Sequence, residues 1–171
     1  WSSDVCSSDL GFGTGLNAAL AWSWADQKRI PVEYHSIELH PLSEGITRQL
    51  SFPGVSKDQV TLLHEANWGQ RLSLSENFTL KKEFADIREI QLAANSNDVI
   101  FYDAFAPSRQ PDLWSLSVMR KMADALAPGG MLVSYCAQGQ FKRNLREAGL
   151  IVESLPGPPG KREMVRAMKP G

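Results

Sequence analysis

Gly11-Phe12-Gly13-Thr14-Gly15-Leu16-Asn17 is the stretch that decides the fold. Three glycines at alternate positions lead into Leu16-Asn17-Ala18-Ala19-Leu20-Ala21-Trp22-Ser23-Trp24, which reads as a tight turn opening a helix to about Lys28. Such a turn normally leaves the central strand of a parallel sheet, buried on both faces and nearly all apolar. Here the residues before it are Asp4-Val5-Cys6-Ser7-Ser8-Asp9-Leu10, mostly serine and aspartate. A good glycine turn hangs from a poor strand.

Beyond the turn, short apolar strands alternate with helical stretches, the pattern of an α/β domain with a parallel sheet. Val32 to Glu38 reads as a strand and Pro41 to Leu50 as a helix, while residues 51–77 carry a weak pattern. A strand over Phe78 to Lys82 precedes a helix from about Asp86 to Ala94. Asp98 to Asp103 is a buried strand ending in a carboxylate, and Pro111 to Leu126 a helix stopped by Pro128-Gly129-Gly130. Met131 to Cys136 is a strand and Phe141 to Ala148 a helix; Leu150 to Leu155 and Glu163 to Met168 close the chain as two strands.

With 171 residues, 43% apolar and 22% charged, the chain suits one globular domain with a full core. It has no apolar run of membrane-span length, and a cytoplasmic location is expected. Cys6 and Cys136 form neither a disulfide framework nor a metal-ligand cluster, so no metal is expected, and Cys136 reads as a core residue. His35, His40 and His64 lack ligand spacing and read as structural or exposed. The formal charge is −1, but from Gly139 to Gly171 seven basic residues face three acidic ones, a net +4 that suits a polyanion such as RNA or merely a solvated face.

Three features carry chemistry. In G-x-G-x-G the third glycine comes one residue earlier than in the dinucleotide fingerprint G-x-G-x-x-G. The spacing favours turns whose backbone amides face the amino-acid end of S-adenosylmethionine, so Gly11, Phe12, Gly13, Thr14, Gly15 and Asn17 are candidate cofactor contacts. Glu38, ending the next strand, can accept both ribose hydroxyls of an adenosine ligand, NAD included, or simply close a strand. Asp86, with Ile87, follows the third strand and can take the adenine amino group, or cap a helix. Asp103 leaves its strand where open α/β sheets bind ligands, and enters a long loop, Asp103 to Trp114, fixed by two prolines and an aromatic. A carboxylate and Phe105 beside a methyl donor suit an amine acceptor; Tyr135 is a weaker candidate for lining that site.

Gly11 to Asn17, His35-Ser36-Ile37-Glu38, Asp103 to Trp114, Tyr135-Cys136-Ala137-Gln138-Gly139 and Leu155 to Arg166 together resemble one family. It is the tRNA wobble-uridine methyltransferases that form 5-methylaminomethyl-2-thiouridine, comprising the methyltransferase domain of MnmC and the stand-alone MnmD. The similarity runs from Gly11 to about Ala167, and the blocks Asp103 to Trp114 and Pro156 to Met164 are its most specific parts. The resemblance implies a Rossmann-like methyltransferase with a mostly parallel, doubly wound sheet and an antiparallel last strand. It also implies N-methylation of a tRNA uridine with S-adenosylmethionine. Bifunctional members add an FAD-dependent oxidase domain; this chain ends before one, so no FAD is expected. Asp103 and Phe105 become the expected catalytic residues, with Asp103 also near the cofactor, and Lys161, Arg162, Arg143 and Arg166 the expected tRNA contacts. Methylation of a small amine or protein, and a non-catalytic RNA-binding domain, are the alternatives.

Residues 1–10 match no part of that family and resemble a translated sequencing adapter. The expectation is that they replace the native first strand of a single methyltransferase domain over 11–171, and that Asp9 stands only by accident where the family has an acidic residue.

Overall fold

The computed structural model describes residues 4–157, 160 and 162–171. The chain forms two units, Trp1–Asp86 and Ile87–Gly171. In the first, β1 (Val5–Leu10) lies parallel to β2 (Val32–Glu38), which lies parallel to β4 (Phe78–Phe84); a short β3 (Arg71–Ser73) adds antiparallel to β4. In the second, β5 (Asn97–Tyr102) and β6 (Leu126–Ser134) are parallel, β8 (Glu163–Met168) pairs antiparallel with β6, and β7 (Ile151–Pro156) antiparallel with β8. The fold is α/β with a mostly parallel sheet, as the pattern implied, and with antiparallel strands as well, β8 among them, in line with the family resemblance.

Val5–Leu10 forms a strand despite its polarity. Val5 pairs with Val32 and Leu10 with Ile37, and Ser7, Ser8 and Asp9 are buried. Backbone pairing is indifferent to side chains, and serines are small enough to sit under a packed layer. The hydroxyl of Ser36 on β2 reaches towards Asp9 at 3.5 Å.

Helix α1 (Leu16–Lys28) starts at Gly15 and ends at Arg29, both left-handed, and buries Ala18, Ala19, Trp22 and Ala25. Trp22 stacks flat on Phe78 of β4 at 5.7 Å, which seats the helix on the first unit's strands. The helix expected over Pro41 to Leu50 shrinks to α2 (Glu44–Thr47), one turn that buries none of its residues. The weak-pattern region contains α3 (Lys57–Glu65), opened by a capping box in which Ser56 Oγ accepts from Gln59 N–H and the Gln59 side chain accepts from Ser56 N–H.

No helix forms over Asp86 to Ala94. A single turn suffices to bury Ile87 and Ile90, and the Arg88 carbonyl, which a helix would use internally, accepts from Lys121 Nζ at 2.5 Å. The helix expected over Pro111 to Leu126 splits into a 3-10 turn (Pro111–Trp114) and α4 (Leu116–Ala125). Pro128-Gly129-Gly130 is not a stop but part of β6. There Gly130 passes so close to β5 that a Cβ would lie 2.8 Å from the Asn97 carbonyl oxygen, at a register irregularity between Asn97 and Val99. Helix α5 (Gly139–Glu147) packs on α4 and β7.

Candidate active site

The first unit builds the glycine turn. Gly13 and Gly15 adopt φ of 49° and 75°, and Gly15 N–H donates to Phe12 O at 2.8 Å, closing the turn. Glu38 ends β2 against it: one carboxylate oxygen accepts from Gly13 N–H at 3.1 Å, the other from His40 N–H at 2.8 Å. Turn and carboxylate, 25 positions apart, are thus brought together. Each oxygen keeps a lone pair for a second donor. That donor set fits the vicinal hydroxyls of a ribose, and the open space beside Gly13, where a Cβ would meet nothing nearer than 3.8 Å, fits a ligand lying along the backbone. Asp86 is half-buried two residues after β4, where Ala85 N–H reaches the Glu38 carbonyl at 3.3 Å. Thr14 is exposed and Asn17 half-buried in the first turn of α1.

Phe12 joins the turn through its backbone. Its ring is 5% exposed and points into the protein, where His64 and Trp68 meet it edge-on at 5.1 and 6.2 Å and Lys82 Nζ lies 5.3 Å from its centre. Only its backbone can serve a ligand in the turn. These side chains help line a cavity of about 260 Å³ that also meets Arg48 and Glu65. Lys82 is fully buried and donates to the carbonyls of Leu63 and His64 at 2.8 and 2.9 Å, and burial lowers its ammonium to about 8. His64 Nε2 lies 2.9 Å from the Thr14 carbonyl oxygen, and desolvation holds its pKa below the usual histidine value. Sequence reasoning missed this group. The one local signal was that Lys82 shares the inward face of β4 with Phe78 and Leu80.

The second unit builds the loop after β5. Asp103 is half-buried beyond the end of the strand, Ala104 is buried, and Phe105 is 53% exposed. Hydrogen bonds pin the loop at intervals: Tyr135 OH donates to Ala104 O at 2.8 Å, Trp114 Nε1 to Phe105 O at 2.8 Å, and Tyr102 OH to Leu113 O. Asn144 of α5 holds the far end, donating to Trp114 O at 2.8 Å, while Phe141 meets the Trp114 ring edge-on at 4.7 Å. Desolvation raises the Tyr135 phenol, with the Cys136 and Asp103 charges adding to the rise, so Tyr135 stays a neutral hydroxyl donor beside the carboxylate. Ile87 and Cys136 are buried.

The expected RNA contacts are less alike than their charges suggest. Arg162 and Arg143 are exposed, Arg143 donating to the Gln140 side chain; Arg166 is held by Glu153 opposite it on β7, at 2.6 Å. Lys161 lies outside the described residues. Among the described residues, no group of three or more histidines, cysteines and carboxylates could hold a metal, and no helix is long and apolar enough to cross a membrane.

A family model described as S-adenosyl-L-methionine-dependent methyltransferase matches residues 55–170. The chain belongs to that family. This methyltransferase is 31% identical over 176 residues to the tRNA 5-methylaminomethyl-2-thiouridine biosynthesis bifunctional protein MnmC of Maricaulis maris, covering 95% of this chain and 30% of that protein. It is 32% identical over 170 residues to the protein of the same name from Chromohalobacter salexigens, covering 92% and 24%. The methyltransferase therefore spans less than a third of the length of these relatives. Its fold matches MNMC2 of Aquifex aeolicus with a TM-score of 0.79 at 25% identity, over 99% of this chain and 56% of that one. A SAM-dependent methyltransferase of Methanosarcina mazei matches at 0.57 and 12% identity, covering 99% and 94%, a likeness of fold alone.

Proposed function

We propose that this methyltransferase converts 5-aminomethyl-2-thiouridine to 5-methylaminomethyl-2-thiouridine at the tRNA wobble position, acting in the cytoplasm. One observation carries the reading. The loop that holds Asp103 is pinned along its length by Tyr102, Trp114, Tyr135 and Asn144, and it carries a half-buried carboxylate, Asp103, and two residues on an exposed aromatic, Phe105. The similarity to proteins named for this modification supports it.

S-adenosylmethionine, when bound, supplies an electrophilic methyl group for in-line displacement. The rest is positioning. Backbone amides of Gly11–Gly15 hold its amino-acid end, Glu38 its ribose, and Asp86 with Ile87 its adenine. The nucleophile is a neutral amine. With a lysine-like pKa of about 10.4, deprotonation at pH 7 costs about 4–5 kcal/mol. A carboxylate raises an amine's pKa, so Asp103 orients the ammonium form and receives its proton rather than acidifying it. Phe105 walls the amine from water and lowers that pKa in part. Arg143, Lys161 and Arg162 meet tRNA phosphate, with Arg166 contributing only where its bond to Glu153 opens.

The test is methyl transfer to tRNA lacking the modification. Asp103→Asn cuts turnover by about 100-fold or more, the scale of a lost acid–base group, while donor affinity changes by less than about threefold. Turnover within a few-fold of wild type overturns the role. Transfer to small amines or proteins but not to tRNA moves the reading to the alternative acceptor class.

A further inference from the structure

We propose that His64 is a positioning residue for the methyl donor, clamping the glycine turn from the end of α3. The inference rests on the reading of Gly11–Gly15 as the donor's cradle. A carbonyl oxygen can only accept, so the 2.9 Å contact with Thr14 O requires the proton on His64 Nε2. The contact reaches 50 residues along the chain and is not part of any strand or helix ladder.

The clamp is built from behind. The last carbonyls of a helix have no partner within it, and Lys82 Nζ satisfies those of Leu63 and His64. That fixes the end of α3 to β4, and Trp68 closes over the ammonium at 4.8 Å from its ring centre. From this anchored end the His64 ring meets Phe12 edge-on at 5.1 Å, and the Gly15 position is so close that a Cβ there would stand 3.3 Å from Nε2. His64 therefore meets Phe12 and Thr14 and closes the space beside Gly15, three of the five residues of the turn. A glycine turn is conformationally free by nature, so the ordering that binding needs is supplied in advance.

The test compares His64→Leu, which fills the space without a donor, with His64→Gln, whose amide can donate to Thr14 O. Affinity for S-adenosylmethionine is measured by calorimetry, saturated turnover separately, and exchange of the Gly15 amide on the ligand-free protein. His64→Leu weakens donor affinity about tenfold, the scale of one lost hydrogen bond, and speeds exchange at Gly15, with saturated turnover within about twofold. His64→Gln restores both affinity and protection to within about threefold. Unchanged affinity and exchange in His64→Leu overturns the proposal, and so does equal weakening in both variants. If His64→Leu speeds exchange but wild type binds no S-adenosylmethionine, the cradle reading fails and the donor-positioning role falls with it; the clamp on the turn alone survives as architecture.

Discussion

Gly15 shows how much one position carries. Its φ of 75° is a left-handed conformation that a side chain enters at a cost of about 1–2 kcal/mol. A Cβ would also stand 3.1 Å from Phe12 Cζ. Gly15→Ala is therefore expected to lower the melting temperature by about 2–8 °C, at 2–4 °C for each kcal/mol in a chain of this size. It also loosens donor binding, because the intruding methyl presses on the two rings that hold the turn. Calorimetric melting with and without S-adenosylmethionine checks both, and an unchanged melt would mean the turn relaxes freely. The glycine spacing and Glu38 were legible in the sequence because turn chemistry is local and a strand end is easy to find. His64, Trp68 and Lys82 were not, since what ties them to the turn is contact across 50 positions or more, for which no short-range pattern exists.

At the scale of elements, periodic stretches were read well and compensated ones poorly. β2 and β8 fell where alternation put them, whereas Ile87 and Ile90, spaced as on a helix, are buried by one turn and a borrowed lysine. α3 was missed although Ser56 and Gln59 spell a capping box, because its apolar face is too thin to show a period. That helix depends on Lys82. Burial lowers the ammonium to about 8 from its ordinary 10.5, so between these values the unfolded chain holds more proton here than the folded one. Stability from this group therefore rises with pH through that window, and the charged form is a burden below it. Relative to Lys82→Met, wild type should gain about 1–2 kcal/mol between pH 7.5 and pH 9.5, read by urea unfolding at both pH values. Other titrating groups are common to both proteins and cancel in the difference. Parallel stability curves would mean that the ammonium is hydrated rather than buried.

For the whole molecule, the polarity of β1 is a cost spread over one strand of the sheet. Ser7, Ser8 and Asp9 are 5%, 1% and 0% exposed, yet a parallel strand covered on both faces is ordinarily apolar throughout. An apolar side chain in the place of a buried serine adds apolar surface to the core, worth about 25 cal/mol for each Å² taken from water. We propose that residues 1–10 derive from adapter sequence and that Val5–Leu10 occupies the place of an apolar strand. Substituting an apolar strand over Val5 to Ser8, with Asp9 and Leu10 kept, should then raise the melting temperature by about 4 °C or more, since each kcal/mol recovered is worth 2–4 °C at this length. The retained Asp9 and Leu10 and the glycine turn that follows them hold the register, so the exchange leaves Leu10 opposite Ile37 and delivers Gly11 to the same turn, Gly11 N–H still donating to Ile37 O. Donor affinity should accordingly change little while stability climbs. A melting temperature that stays level or falls would show that the serines are well matched to their surroundings, and that this strand belongs to the chain as it stands.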